Sequence, residues 1–148
     1  MVKYEQDFYG WTQEQAALLK AGRLSDLDID NLIEEVETMG RSEKRELESR
    51  LTVLLLHLLK WQYQEVRRGR SWKLSIEEQR IQFCKTLKEN PGLKPALDEI
   101  TEDAYKLATI QASRETKISK NVFPQKCPWS IAEIMDDNFY PEQSSRLA

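Results

Sequence analysis

Between Ser42 and Arg68 the chain reads SEKRELESRLTVLLLHLLKWQYQEVRR, and the rest of the sequence is organised around that stretch. Leu47, Leu51, Leu54, Leu58 and Trp61 recur at steps of four and three, which places them on one face of a helix; Leu55 and Leu59 broaden that face. From Val53 to Leu59 only His57 is polar, so the middle of this helix is expected to be covered on most sides. A helix of roughly 25 residues is about 37 Å long, and other helices must pack along it to take its leucines out of water.

The flanking patterns predict those helices. Thr12 with Gln15 forms a capping-box pattern, with Trp11 one before the cap and Ala16 at the staple position, so a helix is expected to begin at Gln13 and to end at Gly22. Asp28 can cap a second helix, whose apolar stripe is Ile29, Leu32, Ile33, Val36 and Met39 and whose stop is Gly40; Ser42 then caps the central helix, which frays toward Gly69. Ser75 with Glu78 repeats the capping box before a thinner stripe of Ile76, Phe83, Cys84 and Leu87, broken by Asn90, Pro91 and Gly92. Pro95 suits a first helical turn, and Leu97, Ile100, Ala104, Leu107 and Ile110 mark a second long helix to about Thr116. Residues 121–129, with Pro124 and Pro128, read as an ordered loop, and Ser130 with Glu133 caps a short helix carrying Ile131, Ile134 and Met135.

No stretch alternates like a strand, and no segment repeats, so the class is all-α. The expected architecture is a single domain over residues 1–148: a bundle of about five or six helices, with residues 43–67 and 95–115 as a long antiparallel pair. Residues 1–11, rich in Tyr4, Phe8, Tyr9 and Trp11, are read as a docked arm; Phe139, Tyr140 and Pro141 as a packed end; and residues 143–148 as a frayed one.

Composition narrows the class. The chain has 148 residues, 40% hydrophobic and 32% charged, which suits one compact domain with a strongly charged surface. No apolar run approaches the roughly 20 residues that cross a bilayer, and the first twenty residues lack a signal-peptide pattern, so a cytoplasmic protein without membrane contact is expected. Cys84 and Cys127 show no CxxC spacing, and both are read as packed small side chains rather than zinc ligands or a disulfide.

Charge is polarised along the chain. Residues 25–37 hold Asp26, Asp28, Asp30, Glu34, Glu35 and Glu37 with no base, whereas residues 60–73 hold Lys60, Arg67, Arg68, Arg70 and Lys73 against Glu65. In the second stretch Trp61, Tyr63 and Trp72 interleave with the bases, the composition of a single-stranded nucleic-acid surface. The preferred reading is that Trp61 and Trp72 are core and that the bases answer the acidic helix, since a pI near 5.4 is opposite to that of a basic binding domain.

Catalytic chemistry has little footing. His57 is the only histidine, and the residue three before it is Leu54, so the paired Glu-x-x-His motifs of a di-iron bundle are excluded. Glu34 and Glu35 are neighbours about 100° apart on a helix and do not converge unaided. The five glycines are scattered, so there is no phosphate-cradling loop, and neither a metal set nor a cofactor is expected.

The segments DFYGWTQEQAALLKAGRLSDLD, NLIEEVETMGRSEKRELESRLTVLLLHLLKWQYQ, RSWKLSIEEQR and CPWSIAEIMDDNFYPE, in this order, resemble the bacterial family called domain of unknown function 29, abundant in cyanobacteria. The resemblance runs from Tyr4 to Glu142 and implies an all-α fold, with no established activity and no catalytic residues to carry over. Glu34, Glu35, His57, Lys60 and Trp61 fall in its densest blocks and form one candidate functional cluster; Arg67, Arg68, Arg70, Trp72 and Lys73 form the nucleic-acid-binding candidate. The function expected is a non-enzymatic interaction module with a protein partner or a second copy of itself. The alternatives are single-stranded nucleic-acid binding through residues 61–73 and an enzyme using His57 with Glu34 or Glu35.

Overall fold

The computed structural model describes residues 1–64 and 68–142. Among the described residues every regular element is helical: α1 (Phe8–Lys20), α2 (Ile29–Tyr63), α3 (Arg70–Glu89), α4 (Leu97–Thr116) and α5 (Ile131–Met135). Short 3-10 turns at Leu24–Asp26, Pro91–Ala96 and Lys120–Val122 complete the path. The chain divides into two compact units, Met1–Ser42 and Glu43–Ala148, and α2 contributes to both.

In the first unit α1 begins five residues before the expected start. Asp7 is its N-cap, accepting from the Gly10 N–H at 2.9 Å, and a Cβ at Gly10 would lie 2.2 Å from Asp7 Oδ2, so a larger residue there would displace the cap. Thr12 is therefore interior, its hydroxyl donating to the Tyr9 carbonyl at 2.7 Å, and residues 8–11 are a helical turn rather than an arm. Gly22, at φ 70°, closes the helix as expected: Gly22 N–H reaches Leu19 O at 3.1 Å and Arg23 N–H reaches Leu18 O at 2.9 Å.

Asp28 starts α2, but the helix does not stop at Gly40. It runs unbroken for 35 residues, and Gly40 lacks the positive φ of a helix terminus. An interior glycine costs roughly 0.5–1 kcal/mol relative to alanine, much less than nucleating a new helix at Ser42. Arg41 beside Glu34 and Glu37, at 3.7 and 3.8 Å, also bridges the turns around it.

The second unit holds the core. Leu47, Leu51, Leu54, Leu55, Leu58 and Leu59 of α2 are fully buried against Ile76, Phe83 and Leu87 of α3 and Ile100, Ala104, Tyr105, Ala108 and Ala112 of α4. Helix directions follow from the side chains that meet. Asn90 donates to Glu43 at 3.1 Å and Lys60 lies over Trp72, so α2 and α3 are antiparallel. Lys44 meets Glu99 at 3.7 Å and Lys60 meets Glu115 at 3.1 Å, so α2 and α4 are parallel. The long antiparallel partner of α2 is thus α3, not residues 95–115: α3 is a full 20 residues, starting at Arg70 rather than Ser75, and it reverses the chain once more.

In α4 the expected Leu107 and Ile110 are exposed. Ala104, Ala108 and Ala112 line the buried seam instead, small side chains that let α4 approach its neighbours closely. Ser130 and Glu133 form both halves of the predicted capping box at the start of α5. Pro141 is buried and Phe139 and Tyr140 are half-buried, giving the packed end, while the segment expected to fray, residues 143–148, lies outside the described residues. No helix among the described residues is long and apolar enough to cross a membrane.

Candidate functional site

Polar ties, more than apolar burial, hold the first unit together. Trp11 Nε1–H and the Asn31 amide both donate to Asp28 Oδ2, at 2.9 and 2.8 Å, and Asp28 N–H donates to Gln15 Oε1 at 2.8 Å. These donors, Asn31 first and Trp11 next, hold the Asp28 carboxyl below its ordinary pKa. The Tyr4 hydroxyl donates to Glu35, and that carboxylate pushes the phenol up to about 12. The Tyr4 ring meets Trp11 edge-on at 4.8 Å.

Asp28, Leu32 and Glu35 share one side of α2, and the polar ties from residues 1–20 reach that side. Met39 falls on that side too, whereas Ile29, Ile33 and Val36 form a row about 100° around the helix that stays uncovered. Ile29 and Ile33 are each 51% exposed, and Val36 and Met39 each 60%, so the stripe expected to be core is surface; only Leu32 is half-buried. The unit's buried residues are Trp11 and Gln15. Glu34 stands on the charged edge beside this stripe with Asp30, Glu37 and Arg41, all exposed.

The remaining candidates lie in the second unit. His57 is half-buried, and its Nδ1–H donates to the Val53 carbonyl one turn back at 2.8 Å. Glu34 and Glu35 belong to the first unit, where Tyr4 holds Glu35 and Arg41 stands beside Glu34. Lys60 lies beside Glu115 at 3.1 Å and 5.1 Å from the centre of the Trp72 ring. Trp61 packs on Tyr140 at 5.0 Å, with the Arg68 guanidinium 5.2 Å from its ring centre and Arg68 Nε donating to the Trp61 carbonyl at 2.6 Å. Lys73 sits over Tyr140 at 5.4 Å, Arg70 is exposed, and Arg67 lies outside the described residues. The structure therefore brings Lys60, Trp61, Arg68, Trp72 and Lys73 into one cation and aromatic cluster and leaves Glu34 and Glu35 to the first unit. Within the first unit the acids of residues 26–37 are met by Arg23, Arg41, Tyr4 and Trp11.

A groove of about 720 Å³ opens between α4 and the loop before α5, with Tyr105, Cys127 and Trp129 in its wall and Glu102 and Lys126 at its rim. Tyr105 donates to the Pro124 carbonyl at 2.7 Å, and burial raises the pKa of its phenol and of the Cys127 and Cys84 thiols. The Cys127 thiol donates to the Trp129 carbonyl at 3.5 Å, and the Ser130 hydroxyl is taken up by the α5 cap with Glu133. Among the described residues no three His, Cys, Asp or Glu side chains converge to hold a metal ion.

Arg80 escapes a reading based on apolar spacing. It is 1% exposed, and its guanidinium donates to the carbonyls of Ile134 and Phe139 at 2.8 Å and of Asp137 at 3.4 Å, while lying over the Tyr140 ring. It clamps the segment after α5 onto α3. The signal was present: Ile76, Arg80, Phe83 and Leu87 step four, three, four, so a base occupies a core position.

No curated protein and no solved structure matches this chain. The family model described as Domain of unknown function DUF29 matches residues 3–140, nearly its whole length. On that match the chain belongs to the DUF29 family.

Proposed function

We propose that this protein is a non-enzymatic interaction module and that its docking surface is the apolar face of α2 in the first unit. The observation that carries this reading is the exposure of Ile29, Ile33, Val36 and Met39 at helical spacing, each more than half accessible. Single exposed apolar residues are ordinary, but Ile29, Ile33 and Val36 in one row, with Met39 exposed on the adjoining side of the helix, mark an interaction surface. A unit of about 40 residues is near the lower limit for folding on one core, so covering this face also stabilises it. The reading needs no catalytic group, and it fits a cytoplasmic setting in which Cys84 and Cys127 stay free thiols.

In-cell photo-crosslinking tests it. A photoreactive phenylalanine at Val36 should capture a protein, and one at Asp26, off the stripe, should not. Absence of any adduct at Val36 would remove the reading.

Single-stranded nucleic-acid binding is the second reading, favoured by one observation: Arg68 Nη2 is buried with no hydrogen-bond partner among the described residues, as an anion-binding nitrogen would be. Against it, Arg68, Lys60 and Lys73 already lie over the faces of Trp61, Trp72 and Tyr140 on which bases would stack.

A further inference from the structure

Resting on the interaction-module reading, we infer that the occupant of the α2 face is a basic amphipathic helix of another protein. Shape comes first. At 100° per residue Ile29, Ile33, Val36 and Gly40 fall within about 60° of one another, a straight stripe three turns long. Gly40 is the informative member: it is exposed, has helical backbone, and a Cβ built on it meets nothing within 4 Å. Among the described residues nothing stands close enough to require a glycine there, and an interior glycine weakens the helix. A bare position at the end of an apolar row does have a use between molecules, since it lets a second helix axis come close beside Ile33 and Val36. This is helix-on-helix recognition, read through anchors at steps of three and four.

Charge selects among helices. Asp30, Glu34 and Glu37 border the stripe on one edge, where Arg41 stands beside Glu34 and Glu37, and the whole first unit carries nine acids against four bases. A second copy of this face would set one acidic edge against another. A helix with lysines or arginines beside its apolar row would instead meet three exposed carboxylates, competing with Arg41 for Glu34 and Glu37.

The test is titration of the full chain with a fluorescent 14-residue peptide of leucines and lysines at helical spacing, beside a scrambled peptide of the same composition. The helical peptide is expected to bind at least tenfold more tightly than the scrambled one, and more weakly as salt rises. Ile33→Asp should cost tenfold or more. Gly40→Ala should raise the chain's melting temperature while weakening the peptide, opposite signs that a merely structural glycine would not give. Because these positions are exposed, circular dichroism of the variants should match the parent. Equal binding of the two peptides, or no effect of Ile33→Asp, overturns the inference. If the peptide fails but the chain self-associates and Ile33→Asp abolishes that, the occupant is a second copy: the inference falls and the interaction-module reading stands. If neither peptide nor second copy binds and Val36 gives no crosslink, both fall.

Discussion

The Arg80 guanidinium reaches the Phe139 carbonyl at 2.8 Å, joining α3 to a segment 59 positions further along the chain. A fully buried charge is tolerable only with its donors satisfied, and here backbone carbonyls, not a carboxylate, satisfy them. Arg80→Ala should therefore destabilise the second unit by about 2–4 kcal/mol, the order expected when hydrogen bonds to a charged group are lost and acceptors are left buried. Arg80→Lys should recover little, because one ammonium cannot span three carbonyls. Chemical denaturation measures both; a loss under about 0.5 kcal/mol, the scale of an ordinary surface change, would contradict the clamp.

Core position is tested by a pair of leucines. Leu54 is fully buried in α2, whereas Leu107 is 47% exposed in α4 although the apolar spacing predicts both inside. Leu54→Ala should cost about 2–5 kcal/mol through the cavity it opens, and Leu107→Ala about 0.5 kcal/mol or less. Equal losses in denaturant melts would mean that α4 presents its leucine side, not its alanine side, to the core.

The contrast between those leucines shows what was legible in the sequence. The α2 leucines, the Gly22 stop and the Ser130 and Glu133 box announced themselves because each is a local pattern with a local cause. Gly40 misled, since a glycine signals a helix end only when the chain needs a left-handed residue there, and an interior glycine looks the same in sequence. The stripe from Ile29 to Met39 was legible as a face but not as an uncovered one: apolar spacing shows which residues share a side, and only the structure shows that Trp11, Gln15 and Tyr4 tie to its Asp28 edge and leave Ile29, Ile33 and Val36 open. Of the candidate residues, Lys60, Trp61, Arg68, Trp72 and Lys73 meet, yet they close on one another rather than around an open site.

The first unit should respond to pH at both extremes. Asp28 is held below the usual carboxylate range, so the ionised form is favoured by the fold; that stabilisation is present above about pH 4 and is lost as pH falls through the depressed folded value. Tyr4 works in the other direction: its phenol is raised to about 12, so its contribution is complete below about pH 10 and fades as pH climbs toward the folded value. The indole N–H resonance of Trp11, which reports the bond to Asp28, should move in acid and become pH-independent there in Asp28→Asn. An indole that ignores pH between 5 and 2 in the parent chain would contradict the acid limb.

Titration with labelled single-stranded DNA at low salt examines the basic cluster. With its cations already over their own rings, no measurable binding is expected. Binding that weakens with a log-log salt slope near −3, about −0.7 for each of four phosphates, would reverse the order of the two functional readings.

The central claim, that the α2 face of the first unit is open in the isolated protein and covered by a partner in the cell, is read at Met39, the exposed methionine that flanks the row of Ile29, Ile33 and Val36. Hydroxyl-radical oxidation followed by mass spectrometry reads it directly, with half-buried Met135 as the internal reference. In the purified chain Met39, 60% exposed, should oxidise much faster than Met135; in intact cells its rate should drop severalfold relative to that of Met135. A Met39 rate that is the same in both settings, or already as slow as Met135 in the purified chain, would contradict the account.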